Sequence, residues 1–339
     1  MGNFCHEAIE RYSSSLKNDG KTFKSVTEEE REKYIEVAIS TTFEQMGKVA
    51  TLEDPTQKYI VESLKDTLRR TVEIITTQVS RGQFEPELFE EIIKTEIKDK
   101  DSGELLANLK GKVDRIDLTD ADDRAVRIID YKSSGHKLDL SECYHGLSMQ
   151  LPIYMGVVLD KLKEKYPNST VHPSAMLYYE MANKFLEVKA AENATEEERL
   201  KLSRMEGLLS SDPEDLAAND LSVGLEPGQT KKSSIVPYGI KADGEPSDRD
   251  TNAVEKGAMH TVIDYAMLQA AETAKHIIAG DFEPSPARLG SHIDACRYCN
   301  YKSVCHFNEN EAGYTVRSFE KAKNNSEVVE LMKEKLEEE

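Results

Sequence analysis

The chain of 339 residues lacks the features of a membrane-bound or secreted protein. No apolar run approaches the roughly 18 residues that a membrane span needs, and the first residues show no basic stretch followed by an apolar one. Its five cysteines, three of them within ten residues, do not form the pattern of a disulfide framework. We therefore expect a cytoplasmic protein, in which clustered cysteines favour a metal.

The sequence also lacks an excess of basic residues. Its 44 lysines and arginines stand against 63 aspartates and glutamates, for a formal net charge of −19. This composition argues against a protein that holds nucleic acid through bulk charge, because phosphate neutralisation needs clustered cations. A protein of this charge that binds nucleic acid must confine its cations to a groove, neutralise phosphate with a metal or gain affinity from a partner.

A nucleotide-binding loop is missing as well. The segment GLEPGQTKKSS at residues 224–234 superficially matches one, but it lacks the G-K-[ST] ending and a preceding apolar strand. An apolar content of 38% and a charged content of 32% indicate a globular protein with a highly solvated surface.

The most informative stretch, residues 111–132, is typical of two β-strands joined by an acidic turn. Each strand carries an acidic residue within an apolar alternation, Asp114 and Asp130, and Lys132 follows at the two-residue spacing that returns to the same face. Two carboxylates can hold a hard cation such as Mg²⁺, and a nearby lysine can orient an attacking water. The alternative is that Asp114 and Asp117 face solvent and that Lys132 is ordinary surface.

The amino-terminal half predicts helices and then strands. Residues 3–17 form an amphipathic helix with His6 close to its apolar face, and two packing helices follow. Three antiparallel strands are expected next, the first over residues 84–97. In this strand Glu90 and Glu96 are possible extra metal ligands, although solvated positions are the simpler interpretation. The two packing helices cover residues 27–46, which begin with a capping box, and 54–82.

The carboxy-terminal half predicts a helix over residues 141–165, on which Gln150 and Tyr154 share a face suited to phosphate or base contact. Pro152 interrupts this helix unless the helix begins near Pro152, which would place Gln150 in the first turn. A strand over 172–189 and a helix over 251–279 are also expected. The charged, small-residue composition of residues 190–250 predicts an inserted excursion of short helix and loop.

A second strong signal lies near the carboxy terminus, where Cys296, Cys299 and Cys305 are spaced as C-x₂-C-x₅-C. Three thiolates in one turn-rich segment can hold zinc or most of an iron–sulfur cluster. Both kinds of centre favour a fourth ligand. The acidic residues that follow, 308–339, predict a solvated extension.

As a set, these motifs resemble a known family. The patterns G-x-x-D-R-x-D, I-I-D-Y-K-[ST] and Gln150-Leu151-Pro152-x-Tyr154 resemble the PD-(D/E)xK nuclease fold in its RecB-like form, and G-N-x-x-H-E-A-[IL]-E-R-[YF] resembles the helix that opens that domain. The cysteines narrow the resemblance to the nuclease domain of the AddB/RexB subunit of bacterial ATP-dependent helicase–nucleases. It covers residues 2–307 except for the insertion.

The resemblance implies an α/β fold with a PD-(D/E)xK restriction-endonuclease-like core, a central mixed sheet flanked by helices, and a carboxy-terminal cysteine-rich loop. One nuclease domain is expected from residues 1–189 and 251–307, interrupted by a partly mobile insertion at 190–250 and followed by the acidic extension 308–339.

The resemblance also implies roles for individual residues. Mg²⁺ is expected to bind His6, Asp114, Asp130 and the backbone carbonyl of Tyr131, while Lys132 positions the attacking water. Gln150 and Tyr154 are expected to contact the DNA strand.

The implied function is a Mg²⁺-dependent DNA exonuclease that acts in double-strand break end processing and recombinational repair. Its partners are DNA and the AddA/RexA helicase–nuclease subunit, and the strand it cuts is the one that ends 5′ at the break. The alternatives are a Cas4-like iron–sulfur exonuclease and a non-catalytic DNA-end-binding scaffold.

In the family the cysteine trio pairs with one upstream cysteine to hold a [4Fe–4S] cluster. That cysteine precedes the helix at which this chain begins, so the cluster is expected to be absent or incomplete in this fragment. Cys5 is the only amino-terminal substitute, and its position does not match the family ligand.

Overall fold

The computed structural model describes residues 2–45, 55–132, 135–181, 196–223, 228, 230–247, 251–289, 294–297 and 299–338. The chain forms two compact units. The first comprises Met1–Ile93, Gly111–Lys137 and Val158–Lys256, and the second comprises Lys94–Lys110, Leu138–Val157 and Gly257–Glu339. Within the described ranges, no helix has both the length and the apolar character of a membrane span.

The secondary structure is mainly helical, with one large sheet. The helices are α1 (Gly2–Asn18), α2 (Glu28–Gln45), α3 (Pro55–Arg81), α4 (Leu140–Tyr144), α5 (Gln150–Lys165), α6 (Glu196–Leu202), α7 (Pro213–Asn219), α8 (Lys256–Ala279), α9 (Asp294–Arg297), α10 (Lys302–Cys305) and α11 (Asn325–Glu338). The strands are β1 (Phe84–Lys98), β2 (Leu105–Thr119), β3 (Asp123–Lys132), β4 (Thr170–Glu180), β5 (Glu206–Ser210), β6 (Lys231–Lys232), β7 (Gly239–Ile240), β8 (Ala253–Val254), β9 (Ala287–Leu289) and β10 (Arg317–Phe319).

The predicted start of α2 is confirmed by its cap. The Thr27 N–H donates to Glu30 Oε2 at 3.1 Å, and the Glu30 N–H donates to Thr27 Oγ1 at 3.3 Å. This reciprocal pair satisfies two amide donors that the first turn of a helix leaves without intrahelical partners. Local sequence alone therefore determines where this helix begins.

The central sheet has six strands in the order β1-β2-β3-β4-β5-β8. Strands β2 and β3 are antiparallel, β3 and β4 parallel, β4 and β5 antiparallel, and β5 and β8 parallel. The sheet is therefore mixed and flanked by helices, which confirms the predicted fold class. The predicted strand over 172–189 is β4, and residues 182–189 lie outside the described part of the chain.

The core of the first unit lies between α1, α2, α3 and the sheet. Each helix buries one apolar stripe at the three- and four-residue spacing of a helical face. The buried residues include Phe4, Ala8, Ile9, Tyr12 and Leu16 of α1, Ile35, Ala38 and Ile39 of α2, Leu64, Leu68, Val72, Ile75 and Val79 of α3, and Ile129, Tyr131, Ala175, Leu177, Tyr179 and Leu209 of the sheet. This packing holds α1 in place beside the strands that carry the acidic residues.

The described part of residues 190–250 contains two short helices, α6 and α7, as predicted, but it also contributes to the sheet and the core. Strand β5 joins the central sheet, and Ile235, Val236 and Tyr238 are buried in the same core as α1. Gly207 makes the pairing of β5 with β4 possible, because a Cβ there would lie 2.1 Å from the Met176 carbonyl oxygen. Composition misled here because the charges lie between short apolar runs that pack. The described part excludes residues 190–195, 224–227, 229 and 248–250.

The structure divides the helix predicted over residues 141–165 into two, which confirms the alternative that a helix begins near Pro152 with Gln150 in its first turn. Helix α4 begins after Asp139, whose side chain accepts from the Ser141 N–H at 2.9 Å. Helix α5 begins at Gln150, which places Pro152 in its first turn, where the missing N–H of proline costs nothing.

The acidic extension is not simply solvated, which corrects that expectation. Helix α11 buries Val328, Val329 and Met332 within the second unit. The segment before it is tied to the start of α4, since Lys321 Nζ lies 2.5 Å from Asp139 Oδ2 and the Ala322 N–H donates to Ser141 Oγ at 3.1 Å. Charge dominates the composition of this extension, but its few apolar residues share one helical face.

Candidate metal centre

Three potential metal ligands meet in the first unit, and they come from three different elements. His6 of α1 places Nδ1 3.2 Å from Asp114 Oδ1 of β2 and 3.3 Å from Glu90 Oε1 of β1. One ligand atom from each residue lies within 4.8 Å of the other two. In the described part of the chain, no other histidine, cysteine, aspartate or glutamate trio meets this spacing. The site is therefore assembled by packing and not by a local motif.

The end of the β2–β3 ladder positions Asp114. The last regular pair is Arg115 with Ile129, and beyond it the Tyr131 N–H donates to Asp114 Oδ2 at 2.6 Å. The backbone N–H of Tyr131 on β3 is therefore bonded to the Asp114 side chain and not to a backbone carbonyl of β2. This bond fixes one oxygen of Asp114 and leaves the other directed at His6.

Asp130 and Lys132 stand on β3 at the same end of the ladder. Continuing the register by one residue sets Asp130 opposite Asp114, and Lys132 Nζ lies 2.5 Å from Asp130 Oδ2. The Lys132 ammonium also lies 5.4 Å from the centroid of the Tyr178 ring. Strand β3 thus places Lys132 beside the two aspartates, where its ammonium forms an ion pair with Asp130.

The carboxylates of Asp114 and Asp130 repel each other. Burial raises the pKa of Asp130, the charge of Asp114 raises it further, and the hydrogen bond from Lys132 opposes both. A cation near both carboxylates would remove this like-charge repulsion.

His6 is the cationic partner in this arrangement. Burial of its ring disfavours the charged form, but hydrogen bonds to Asp114 and Glu90 outweigh burial and raise the pKa of His6 to about 9. A protonated imidazole therefore occupies the position between two carboxylates at neutral pH. A divalent cation would replace that proton, since metal-bound histidine must be neutral.

The interpretation of Glu90 as a solvated strand position is wrong. Its side chain is only 6% exposed, and its backbone adopts φ +50, a left-handed conformation that is rare for a residue other than glycine. The irregularity interrupts the alternation of β1, so strand periodicity could not show which way Glu90 points. Glu96 on the same strand is exposed and pairs with Lys98 at 2.8 Å, as expected.

Lys112 completes the charged group and was not singled out by sequence. Its ammonium pairs with Glu90, while its side chain remains 54% exposed. The hydrogen bond to Glu90 raises the pKa of Lys112, and the nearby charges of Asp114 and Glu10 add to this. Strand periodicity could have identified Lys112, because it precedes Asp114 by two residues and therefore lies on the same face of β2.

A second charged cluster, formed by Arg115, Asp117 and Arg127, lies fully buried on the same two strands. Both Asp117 oxygens accept from Arg115 at 2.6 Å, and Arg127 Nη2 donates to Asp117 Oδ2 at 2.6 Å. Arg115 also donates to Gln78 and Arg127 to Asn219. The alternative that Asp114 and Asp117 face solvent is therefore wrong, since they are 6% and 0% exposed.

The remaining predicted site residues lie in the second unit. Gln150 and Tyr154 are half-buried on one side of α5, and their neighbours Leu151, Ile153 and Met155 are buried. Their contact with DNA stays a prediction.

The three cysteines of the carboxy-terminal motif are free thiols in the second unit. Cys296 is half-buried on α9, whereas Cys299 and Cys305 are exposed. The Tyr301 N–H donates to Cys299 Sγ at 3.4 Å. Their role as cluster ligands stays a prediction.

The donor set fits a divalent cation. Carboxylate oxygens from Glu90, Asp114 and Asp130 are the ligands that Mg²⁺ and Mn²⁺ prefer, and an imidazole is acceptable to Mn²⁺ and related metals. The negative groups of the site are Glu90, Asp114 and Asp130, and the positive groups are His6, Lys112 and Lys132. The charge of Asp114 raises the pKa of Asp130.

Comparison with known proteins agrees with this chemistry. The sequence model of the family described as the PD-(D/E)XK nuclease superfamily matches residues 1–306.

Three curated relatives share one name, each being called the B subunit of an ATP-dependent helicase/deoxyribonuclease. The protein of Lachnoclostridium phytofermentans is 28% identical over 98% of this chain and 28% of its own length. That of Listeria welshimeri is 31% identical over 91% of this chain and 27% of its own length, and that of Clostridioides difficile is 29% identical over 98% and 29%. The chain spans less than a third of each relative.

Proposed function

Because the chain belongs to the PD-(D/E)XK nuclease superfamily, we propose that it is the nuclease domain of the B subunit of an ATP-dependent helicase–nuclease and that it hydrolyses DNA with Mg²⁺. The observation that carries this proposal is the meeting of His6, Glu90 and Asp114 within 4.8 Å, next to Asp130 and Lys132. The names of the relatives favour a B subunit over a Cas4-like exonuclease.

His6, Asp114, Asp130 and the Tyr131 carbonyl are the proposed ligands, and the structure adds Glu90 to the candidates. When bound, the cation supplies Lewis-acid polarisation of the phosphate and lowers the pKa of a coordinated water. Asp114 is pre-oriented for this role by the Tyr131 N–H, so binding does not have to order it.

Lys132 is the proposed catalytic lysine. Asp130 holds its ammonium at 2.5 Å, and the Tyr178 ring limits its freedom. In this position Lys132 can orient the attacking water and stabilise the charge that builds on the phosphate. Gln150 and Tyr154 are the proposed contacts to the DNA strand.

Digestion of linear single-stranded DNA tests this proposal. We expect wild-type cleavage with Mg²⁺, none in EDTA, and a loss of at least about 100-fold in Lys132→Ala, because the charge of Lys132 acts in the transition state. The control is Lys98→Ala, which removes an exposed lysine on β1. Equal cleavage by wild type and Lys132→Ala would refute the role of Lys132. A wild type that binds DNA ends without cutting would instead favour the non-catalytic scaffold.

Partner and pathway follow from the same proposal. The relatives are named as subunits, so we propose that the intact protein works with the AddA/RexA helicase–nuclease subunit in double-strand break end processing and recombinational repair. We propose that it cuts the strand ending 5′ at the break. Digestion of duplexes labelled on either strand by the two-subunit enzyme with ATP tests this polarity. The enzyme with Lys132→Ala should leave the strand ending 5′ at the break uncut and should still cut the other strand.

For Cys296, Cys299 and Cys305 we propose a [4Fe–4S] cluster in the intact protein, completed by an upstream cysteine. Three thiolates leave one iron open to solvent and oxidant, so the 339-residue chain should hold little iron. Metal analysis with an absorbance spectrum tests it. Four irons per chain would show that Cys5 or another group completes the site, and one zinc without visible absorbance would favour a zinc module.

A further inference from the structure

Without a bound cation, the carboxylates of the candidate metal centre should repel the phosphates of DNA. Glu10, Glu90, Asp114 and Asp130 all contribute negative charge there, and the chain as a whole carries −19. A phosphate backbone is repelled by such a surface. Lys112 is the cation of this group with the most exposed side chain, at 54% against 23% for Lys132.

The two oxygens of Glu90 face different partners. Oε1 lies 3.3 Å from His6 Nδ1, on the side of the potential metal ligands, whereas Oε2 pairs with the Lys112 ammonium. The left-handed backbone of Glu90 holds the carboxylate in this position. That conformation is strained for a residue other than glycine. An ion pair that served only stability would not require this strain. One carboxylate therefore links the metal ligands to an exposed cation.

We propose that Lys112 is a DNA-phosphate contact that is controlled by the metal through Glu90. Without a divalent cation, Glu90 holds the ammonium of Lys112. A divalent cation on His6, Glu90 and Asp114 adds positive charge to the same carboxylate, which weakens its attraction for Lys112. The freed ammonium, on a flexible four-carbon stem, then binds a phosphate of the substrate strand.

This inference rests on the proposed function, and it adds regulation to it. DNA affinity and metal loading become coupled, so each ligand must tighten the binding of the other. An acidic chain of this kind would then bind DNA well only when it is loaded for cleavage.

The first test is the DNA affinity of Lys112→Gln, measured by fluorescence anisotropy of a labelled single-stranded oligonucleotide. Ca²⁺ replaces Mg²⁺ to slow cleavage, and EDTA gives the metal-free state. With Ca²⁺ we expect about three- to tenfold weaker binding, and a salt dependence of log K reduced by about 0.7, the value for one phosphate contact on a single strand. In EDTA the substitution should change affinity less than twofold.

The second test measures metal alone, with no DNA and no activity readout. Titration calorimetry with Mn²⁺ should give about two- to fivefold tighter binding to Lys112→Gln than to wild type, the range expected when one exposed ion-pair competitor is removed. Lys110→Gln, which changes another exposed lysine of β2, is the matched control and should behave as wild type in both tests. Thermal unfolding of each variant verifies that the fold is intact.

The outcomes separate the inference from the proposed function. Equal effects of Lys112→Gln with Ca²⁺ and in EDTA, or an unchanged Mn²⁺ affinity, would overturn the control of Lys112 by the metal while leaving the nuclease proposal in place. A wild type that binds no Mn²⁺ at His6, Glu90 and Asp114 would overturn both.

Discussion

Strands β2 and β3 carry two charged clusters only a few residues apart, and they differ in how their charges are satisfied. In the buried cluster, two arginines surround Asp117 and every carboxylate oxygen has a guanidinium donor. In the candidate metal centre the pKa of Asp130 is raised, because burial and the charge of Asp114 outweigh the hydrogen bond from Lys132. The first cluster is complete, because protein groups satisfy every carboxylate oxygen, whereas the second contains an aspartate whose charged form is disfavoured.

The difference is visible in the local geometry. Asp117 and Arg127 are a regular cross-strand pair, and their side chains are fully buried. At Asp114 the ladder has ended, Glu90 adopts a strained backbone and Lys112 reaches solvent. Regular pairing serves stability, and its interruption makes room for chemistry.

The largest expected effect comes from breaking the complete cluster. Asp117→Asn keeps the shape of the side chain but leaves two buried guanidinium groups without a counter-charge. We expect a loss of about 3–5 kcal/mol in the free energy of unfolding, measured by urea denaturation. Asp120→Asn, whose carboxylate is 98% exposed, is the control and should change stability by less than about 0.5 kcal/mol. A loss below about 1 kcal/mol in Asp117→Asn would contradict the role of the cluster.

A histidine held between two carboxylates tests the role of satisfied charge through pH. His172 lies between Asp123 and Asp215, at 2.8 and 2.9 Å. Burial disfavours its charge, but the hydrogen bonds to Asp215 and Asp123 outweigh burial, so the pKa of His172 is raised above 6.5. Its stabilisation should be complete below pH 6.5 and lost as the pH rises through the higher folded pKa.

We therefore expect His172→Gln to lose about 1–2 kcal/mol at about pH 6 relative to wild type, with a smaller difference at about pH 9. Urea denaturation of both proteins across this range measures it. A difference that grows as the pH rises would show that the sign is wrong.

Removing a charge from the candidate metal centre should have the opposite effect on stability from removing His172. Because the pKa of Asp130 is raised, its charge destabilises the metal-free fold above the ordinary pKa of 3.8. Asp130→Asn should therefore be as stable as wild type in EDTA at about pH 7.5, or up to about 1 kcal/mol more stable, although it should lose cleavage. Thermal unfolding with and without Mg²⁺ measures this, and Mg²⁺ should stabilise wild type more than the variant. A clear loss of stability in EDTA would assign Asp130 to the complete kind of cluster.

The smallest effect is expected on the solvated side of β1. Glu96 and Lys98 are both more than half exposed, so Glu96→Gln should change stability by less than about 0.5 kcal/mol and leave Mn²⁺ affinity unchanged. Glu90→Gln, on the same strand, should weaken Mn²⁺ binding about tenfold or more. Calorimetry of the two variants compares them directly, and equal Mn²⁺ affinities would remove Glu90 from the site.

Sequence alone determined the elements whose signals are local. The stripes of α1 and α3, the capping box at Thr27 and the alternation that carries Asp114, Asp130 and Lys132 are all readable from spacing, because each depends on neighbours within a few residues. The family resemblance added His6, which its own helix did not distinguish from a core residue. These predictions located the sheet and most of the candidate site.

Tertiary structure alone decided the rest. Glu90 reaches His6 and Asp114 only because three elements far apart in sequence pack together and because its backbone departs from regular strand geometry. The same holds for residues 206–210 and 235–240, short runs within a charged segment that complete the sheet and its core. Periodicity reports which side of an element a residue faces, whereas the partner on that side depends on long-range packing.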